Sequence, residues 1–457
     1  MRYTDPDPAP TTTAAADPPT SPVVPDVELD IRVRAPGSRQ ISDVLEVRVP
    51  KGHRVFCVSD LHLRPKRSEA SAWAIPELAK ALDALDGPAT LVLIGDVLEM
   101  WFVQPPDGLG SLDAHPDLTE AVERFRAGHP QRRVLYAIGN HDGRLGWDGD
   151  LLDAISERLG CEFAFAIELI PDEGDGGRVR IEHGHAYDPA NAFEDPRDPG
   201  ESPLGMHLVE EVMPELTFAE HGALDGFDRL ANPRTFLGFM SSRYFYRRVV
   251  GIAGWIVIPL ALLFLARIVT GLLIVLSGDP RSGLDDALRA RFIGLDTVQL
   301  LALIVLAFTG LAFARRGWHR GEDQVGSFRG KTQNARTKDA ARRLVENGYA
   351  GMVAAHTHHC ELSELGTGFY ANTGSCSQVI DRVSARLRLP HVYLPRLQLS
   401  WVMLEITNGW TVRLIAARRG VPGASRLERA AAGRAERRLE TDPVQVASWP
   451  NGPLLPE

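Results

Sequence analysis

Five short apolar runs in this chain each end in residue types that bind metal ions, and this recurrence constrains the fold more than any other feature. In a strand, residues i and i+2 project to the same side, so Asp60 and His62 in "CVSDLH" are placed to bind one cation. Alone, such a strand end is more often just two exposed polar residues. The other four runs end in Asp96, in Asn140-His141-Asp142, in His183 and His185, and in His356 and His358. Together they predict a metal site at one edge of a sheet.

Strand and helix patterns alternate around the first three of these motifs. Apolar strand patterns occur at 53–60, 89–96 and 132–140, and helical patterns separate them at 71–85 and 117–128. This order predicts an α/β fold whose sheet is at least partly parallel, with polar residues gathered at the carboxyl ends of its strands.

The donor set indicates two cations that share one carboxylate, because the two oxygens of Asp96 can bridge two ions. One cation is assigned to Asp60, His62, His358 and Asp96, and the other to Asn140, His183, His356 and Asp96. Imidazole, carboxylate and amide donors without thiolate favour manganese, with iron and zinc as alternatives. Two such ions about 3.5–4 Å apart clamp a phosphoryl group and lower the pKa of bound water, so we expect a metal-bound hydroxide to attack phosphorus.

These motifs resemble the five sequence blocks of the calcineurin-like metallophosphoesterases. The resemblance covers 53–190 and 335–415, and the later "FYANTGSC" is similar to the strand and turn after the family's last histidine pair. It implies a four-layer α/β-β/α sandwich with a di-metal site at the strand ends, and it supports the ligand assignment above. It also implies that His141, oriented by Asp142, protonates or stabilises the leaving oxygen. Ala355 departs from the family, which usually has glycine there.

Within the family, "SDLHL" and "GDVLEMWF" look most like the enzymes that cleave UDP-2,3-diacylglucosamine at its pyrophosphate. The best-known branch of those enzymes has arginine where His141 stands and no apolar insertion, so the substrate stays open. Arg64 and His185 are the candidate substrate-binding residues. A solvated loop charge is the alternative for Arg64. For His185 a substrate-facing role or a supporting role beside the ligands is favoured, because His183 already occupies the expected ligand position, and the alternative is that His185 is itself a metal ligand.

The segment 249–278 is apolar apart from Arg267, Thr270 and Ser277, and the segment 297–314 is apolar apart from Gln299 and two threonines. Each is long enough, at about 1.5 Å per helical residue, to cross a bilayer core of about 30 Å. They predict an inserted two-helix transmembrane hairpin, with buried core helices or an interfacial hairpin as alternatives. Arginines at the outer flanks predict a multi-pass protein of the cell membrane whose catalytic domain and termini are cytoplasmic.

The predicted division of the chain follows from these features. It comprises a disordered tail (1–27), the first part of the phosphoesterase domain (28–189), a helical cap (190–248), the transmembrane hairpin (249–314), the second part of the domain (315–417) and a flexible tail (418–457). A β-hairpin is expected at 28–50. The net charge of −9 argues against general affinity for nucleic acid, and the four scattered cysteines indicate no disulfide framework.

The sequence therefore predicts a membrane-anchored, binuclear metal-dependent phosphoesterase. Its expected substrate is a lipid phosphate or a lipid-linked pyrophosphate, because the apolar hairpin would lie beside the site. A tethered phosphatase that acts on soluble nucleotides or phosphoproteins is the alternative. A third interpretation is a non-catalytic scaffold that uses the fold for binding. Oligomeric state stays open.

Overall fold

The computed structural model of the chain describes residues 41–103, 105–172, 176–212, 236–276, 290–306, 309–310, 334–386, 389–433 and 441–456. Its strands are β1 (Ser42–Val49), β2 (Arg54–Val58), β3 (Ala89–Ile94), β4 (Arg133–Ala137), β5 (Cys161–Pro171), β6 (Val179–Glu182), β7 (Gly351–Ala354), β8 (Glu361–Leu365), β9 (Gly368–Asn372), β10 (Gln378–Val383), β11 (Val392–Ile406), β12 (Trp410–Gly420) and β13 (Val444–Trp449). Its helices are α1 (Glu69–Asp83), α2 (Gly108–Asp113), α3 (Pro116–Ala127), α4 (Gly149–Leu159), α5 (Leu204–His207), α6 (Phe236–Tyr244), α7 (Val250–Leu276), α8 (Ala335–Glu346) and α9 (Arg426–Ala432).

Strands β2, β3, β4 and β5 pair in parallel in that order. Strand β5 then changes partner along its length. Its residue Ala164 pairs with Ala137 at the carboxyl end of β4, and Ala166 pairs with Glu182 at the carboxyl end of antiparallel β6. The ends of β4 and β6 therefore meet at the middle of β5, although the two strands run in opposite directions. Strand β7 pairs in parallel with β6, so its carboxyl end lies at the same place.

The period-2 alternation of β2 separates two apolar cores. Phe56 and Val58 pack in a core with helices α1, α3 and α4, while Val55 and Cys57 point into a second core between the halves of the sheet. A further apolar cluster joins α8 to β7 and β9. The layers thus follow the order helix, sheet, sheet, helix, and the predicted α/β fold is confirmed.

Each end of the described chain contributes a strand to the sheet. Strand β1 pairs in parallel with β5, and 1–40, with the first arm of the hairpin predicted at 28–50, lie outside the described residues. The predicted flexible tail from 418 includes α9 and strand β13, which pairs with β12. Packing holds strand β13 in place, because Ala447 is fully buried and the Trp449 ring lies 5.1 Å from that of Phe369.

The predicted transmembrane hairpin is contradicted. Within the described residues, no helix has the length and apolar character needed to cross a membrane. Helix α7 contains Arg267, whose guanidinium lies 3.0 Å from the carboxylate of Asp296, and charged side chains are unfavourable in hydrocarbon. The prediction of a multi-pass protein in the cell membrane is therefore wrong, and 277–289 and 311–333 lie outside the described residues.

Candidate metal centre

The seven predicted ligands lie together where β2, β3, β4, β6 and β7 end. Three groups of metal-binding atoms occur there, and the atoms within each group lie within 4.8 Å of one another. The groups are Asp60 with His62 and His358, His62 with Asp96 and His141, and Asp96 with His183 and His356. Because Asp96 belongs to two of them, the structure links both halves of the predicted site through this carboxylate.

The first predicted cation position is bounded by Asp60, His62 and His358. The Oδ1 atom of Asp60 lies 3.1 Å from Nε2 of His358 and 3.8 Å from Nε2 of His62, and these two nitrogens are 3.1 Å apart. Among the described residues, this buried Oδ1 atom has no hydrogen-bond donor. A buried carboxylate oxygen without a partner is costly, and a divalent cation between the three side chains would satisfy it. The residues present therefore fit a metal ion.

The second predicted position is bounded by Asp96, Asn140, His183 and His356. Nε2 of His183 lies 3.1 Å from Oδ2 of Asp96. The Oδ1 atom of Asn140 lies 3.1 Å from Nε2 of His183 and 3.1 Å from Nδ1 of His356. One amide oxygen, one carboxylate oxygen and two imidazole nitrogens thus converge, a donor set that suits a transition metal.

Three of these imidazoles are held in one tautomer by an acceptor on the side away from the centre. The donating atoms are Nδ1 of His62 to Glu99 (3.0 Å), Nδ1 of His183 to the carbonyl of Ile94 (2.8 Å) and Nε2 of His356 to Asp188 (3.2 Å). This arrangement turns the lone pair of the other ring nitrogen towards the centre, as in metal sites whose ligands are oriented by outer hydrogen bonds. Glu99 and Asp188 were missed in the sequence.

The backbone of the centre is strained in a way that points to function. Among the described residues, only five non-glycine residues have positive φ, namely Asp60 (50°), His62 (46°), Asp96 (51°), His356 (70°) and His358 (58°). All five are predicted ligands. L-residues adopt this region at a cost, and such strain concentrates at functional sites.

The glycines beside the ligands are required by the close approach of β3 and β4. A Cβ atom on Gly95 would lie 2.6 Å from the Cα of Gly139 and 2.7 Å from Nδ1 of His183. A Cβ atom on Gly139 would collide with the carboxylate of Asp96. Only glycine at these two positions lets the strand ends approach closely enough to gather the ligands.

Glu99, rather than Asp142, orients His141. The Nδ1 atom of His141 donates to Oε1 of Glu99 at 2.9 Å. Asp142 is fully buried, and its oxygens accept from Tyr136 Oη at 2.5 Å and from the backbone N–H groups of Val97 and Gly139. The predicted role of Asp142 is therefore corrected: this carboxylate ties together the turns after β3 and β4.

Residues 53–246 match the model of the calcineurin-like phosphoesterase family. This part of the chain is a calcineurin-like phosphoesterase domain. The domain and its metal-binding groups make the chain a metal-dependent phosphoesterase. Nothing in the comparisons supports the closer resemblance to enzymes that cleave UDP-2,3-diacylglucosamine. A search of curated proteins found no match.

A search of solved structures matched this chain to several others, of which three are named here. They are a single mutant of Vps29 from Entamoeba histolytica (12% identity, 86% of this chain and 98% of that chain covered, TM-score 0.24), phosphopantetheinyl hydrolase from Mycobacterium tuberculosis (11%, 72% and 92%, 0.24) and a cold-active protein-tyrosine phosphatase of a psychrophilic Shewanella species (13%, 84% and 83%, 0.28). TM-scores in this range support no functional argument, so the identification depends on the family match.

Burial and charge shift the ionisation of the phosphoesterase centre in opposite directions. Burial lowers the pKa of His183, but the carboxylate of Asp96 outweighs it and raises that pKa to about 10. Burial also opposes the charged form of His141, yet Glu99 and Asp96 raise its pKa. Conversely, burial raises the pKa of Glu99, but the neighbouring imidazoles hold it well below its usual range. Without a metal ion, the protonated forms of His183 and His141 are therefore favoured by the anionic Asp96 and Glu99 beside them.

The two predicted substrate-binding residues lie at the border of the centre. The guanidinium of Arg64 stacks over the ring of Phe102 at 4.8 Å and lies 3.9 Å from Oε2 of Glu99. The ring of His185 lies 5.5 Å from that of His183 and meets Phe193 edge-on. Its buried Nδ1 atom has no hydrogen-bond partner among the described residues. The part of the predicted cap at 213–235 lies outside the described residues.

Proposed function

We propose that this domain hydrolyses a phosphate ester or phosphoanhydride bond with two divalent cations, and that His141 supplies a proton to the leaving oxygen. The observation that carries the proposal is the convergence of the seven ligands, five of them on a strained left-handed backbone. Manganese is the favoured metal, with iron and zinc as alternatives.

The ligand assignment follows the two groups of donors. Asp60, His62 and His358 would hold one cation, Asn140, His183 and His356 would hold the other, and Asp96 would be shared. When bound, such cations neutralise charge on the phosphoryl group and activate water as a nucleophile. The protein would keep the site in shape through the outer acceptors described above.

His141 is suited to act as the general acid because its position and charge are both controlled. Glu99 occupies its Nδ1 atom, so proton transfer to substrate falls to Nε2. Trp101 stacks on the imidazole with ring centroids 4.2 Å apart, which fixes the ring plane. As the bond between phosphorus and the leaving oxygen breaks, that oxygen takes the electron pair and the proton from Nε2. A positioned acid of this kind contributes about 10²- to 10⁴-fold.

The surface beside His141 indicates which leaving groups fit. Trp101 and Phe102 present aromatic rings there, and Arg64 adds a positive charge above Phe102. A leaving group with both flat or apolar surface and an anionic group would match this surface. Lipid-linked phosphates and nucleotides both meet that description, so the predicted lipid-linked substrate stays a prediction beside the nucleotide alternative.

The experiment that tests this proposal is hydrolysis by the full chain with Mn²⁺ over a substrate panel. The panel contains an aryl phosphomonoester, an aryl phosphodiester, a nucleoside diphosphate, a phosphopeptide and a nucleotide-linked lipid pyrophosphate. The matched control is Asp96→Asn, which keeps the size of the shared ligand and removes its charge. We expect Mn²⁺-dependent turnover of at least one substrate, lost in Asp96→Asn. No turnover, or equal turnover by the variant, would refute the proposal.

A further inference from the structure

We propose that Thr357 and Asn334 form a positioning pair that holds the loop carrying His356 and His358 in its metal-binding shape. The inference relies on the proposed metal ligands and adds two residues that bind no metal themselves. Thr357 separates the two histidines, and Asn334 lies directly before α8. The buried hydroxyl of Thr357 donates to Oδ1 of Asn334.

The loop needs support because its backbone is unfavourable at both ligands. His356 has φ of 70° and His358 has φ of 58°. The N–H of Thr357 donates to the carbonyl of Ala355 at 2.8 Å, which closes a three-residue turn around His356. A γ-turn with positive φ at its central residue is the strained form, so surrounding contacts must maintain it.

The contacts of Asn334 determine which way its amide points. Its Nδ2 atom lies 2.8 Å from Oε2 of Glu361 and 3.2 Å from the carbonyl of His359, and both of these are acceptors. The amide nitrogen must therefore face them, which leaves Oδ1 towards the loop. There Oδ1 accepts the Thr357 hydroxyl, and the amide of Asn372 approaches it at 3.2 Å.

Asn334 is used for the loop instead of for its own helix. An asparagine at the start of a helix commonly caps the first N–H groups with its side chain, but Asn334 makes no such bond to α8. It is fully buried. Its partner Glu361 is also buried and is neutralised by Lys338 of the same helix. This buried ion pair fixes the Asn334 side chain, whose amide oxygen accepts the hydrogen bond from the Thr357 hydroxyl.

Asn372 completes the hydrogen bonding of the Thr357 hydroxyl. Its Nδ2 atom donates to Oγ1 of Thr357 at 3.2 Å and to the carbonyl of Ala355 at 2.8 Å. The Thr357 hydroxyl thus donates to Asn334 and accepts from Asn372, and these two side-chain amides hold the loop in place. Replacing this hydroxyl with a methyl group removes the bonds of both amides to Thr357 and with them the restraint between His356 and His358. Asn334 then reaches the loop only through the carbonyl of His359, and Asn372 only through that of Ala355.

The test compares Thr357→Val, which is isosteric but apolar, with Thr357→Ser, which keeps the hydroxyl. Mn²⁺ binding to the full chain is measured by titration calorimetry, and the melting temperature of the metal-free protein is measured separately. The matched control is Thr90→Val, which removes a buried hydroxyl that contacts His53 at 2.8 Å, at the opposite end of a central strand. We expect Thr357→Val to weaken Mn²⁺ binding about 10- to 100-fold, whereas Thr357→Ser and Thr90→Val keep wild-type affinity.

Several outcomes would overturn the inference. They are wild-type Mn²⁺ affinity in Thr357→Val, an equal loss of affinity in Thr90→Val, and failure of Thr357→Ser to keep affinity. If Thr357→Val does not fold, Thr357→Ala gives the same comparison without a methyl group in the polar pocket. A wild-type chain that binds no Mn²⁺ would overturn the metal ligands and this inference together. Mn²⁺ binding without any hydrolysis would refute only the proposed function.

Discussion

Glu99→Gln is the substitution that probes the phosphoesterase centre most informatively, because one buried carboxylate contacts both a proposed metal ligand, His62, and the proposed acid, His141. Oε1 of Glu99 accepts from His141 and from the backbone N–H groups of Trp101 and Phe102, at 2.9, 3.0 and 3.1 Å. In the variant, these three donors keep the amide oxygen on that side. The amide nitrogen then faces Nδ1 of His62, so the variant places a donor against a donor.

The expected effects differ for the two histidines. His141 exchanges a hydrogen bond to a charged acceptor, about 1.5–3 kcal/mol, for a neutral one of about 0.5–1.5 kcal/mol. A loss of about 1–1.5 kcal/mol corresponds to roughly tenfold in kcat. His62 loses its outer acceptor altogether, which weakens metal affinity by about 10- to 100-fold. The two losses are separable, because saturating metal compensates for the weaker metal affinity but does not restore the lowered kcat.

The direction of the pH effect follows from the charge on Glu99. His141 must carry a proton to donate it, so activity is present below its pKa and is lost as pH rises through it. The anionic Glu99 helps to raise that pKa. Glu99→Gln removes the charge, so the basic limb of the kcat profile moves to lower pH.

The assay is kcat against pH at saturating Mn²⁺, with an alkyl and an aryl phosphate ester compared. An aryl leaving group needs little protonation, so the variant is expected to lose more activity on the alkyl ester. Glu168→Gln is the matched control, because Glu168 is also buried and pairs with Arg178 and Arg180, none of which is part of the centre. An unmoved basic limb together with equal losses on both esters would refute the assignment of Glu99 to His141.

Four further predictions follow from the same contacts. Asp142→Asn places an amide N–H opposite a backbone N–H, that of Gly139 if the amide oxygen keeps Val97 and Tyr136 and that of Val97 in the other orientation, so we expect a loss of about 1–3 kcal/mol in the free energy of unfolding; a shifted basic limb in its kcat profile would contradict the structural role. His183 has a pKa of about 10 without metal, so below that pH a cation must displace its proton; calorimetry in buffers of different ionisation enthalpy is expected to show proton release and affinity that rises with pH, and pH-independent affinity would count against it. For the metal-free protein, the proton on His183 contributes stability fully below about pH 6.5, which is lost as pH rises through about 10. Arg64→Ala is expected to raise KM for anionic leaving groups more than for neutral ones, and an equal change for both would remove Arg64 from substrate binding.

The strands and most of the ligand set could be predicted because their signals are local. In β2, an apolar run is followed directly by Asp60 and His62. The strand and its metal-binding side chains therefore lie within nine residues, which span about 30 Å at most when fully extended. The turn glycines of β3 and β4 mark where the next donors lie. Each of these patterns is set by the geometry of one strand and the turn after it.

What the sequence could not show depends on contacts between distant segments. In the sequence, Glu99 is a single charged residue in the apolar stretch "VLEMWF", and only the fold shows that each of its two oxygens contacts an imidazole. A lone charge in an apolar stretch was the one sequence feature that could have drawn attention to Glu99. The family resemblance implied that Asp142 orients His141, although Tyr136 and two backbone groups occupy this carboxylate. Strand β13 was missed because its short run is stabilised by pairing with β12.

The most direct test of the central claim is anomalous diffraction at the manganese edge from crystals of the Mn²⁺-loaded chain. The account predicts two peaks about 3.5–4 Å apart, with Asp96 between them. One peak should lie beside Asp60, His62 and His358, and the other beside Asn140, His183 and His356. A single peak, peaks elsewhere in the chain, or no manganese at these strand ends would contradict a binuclear centre.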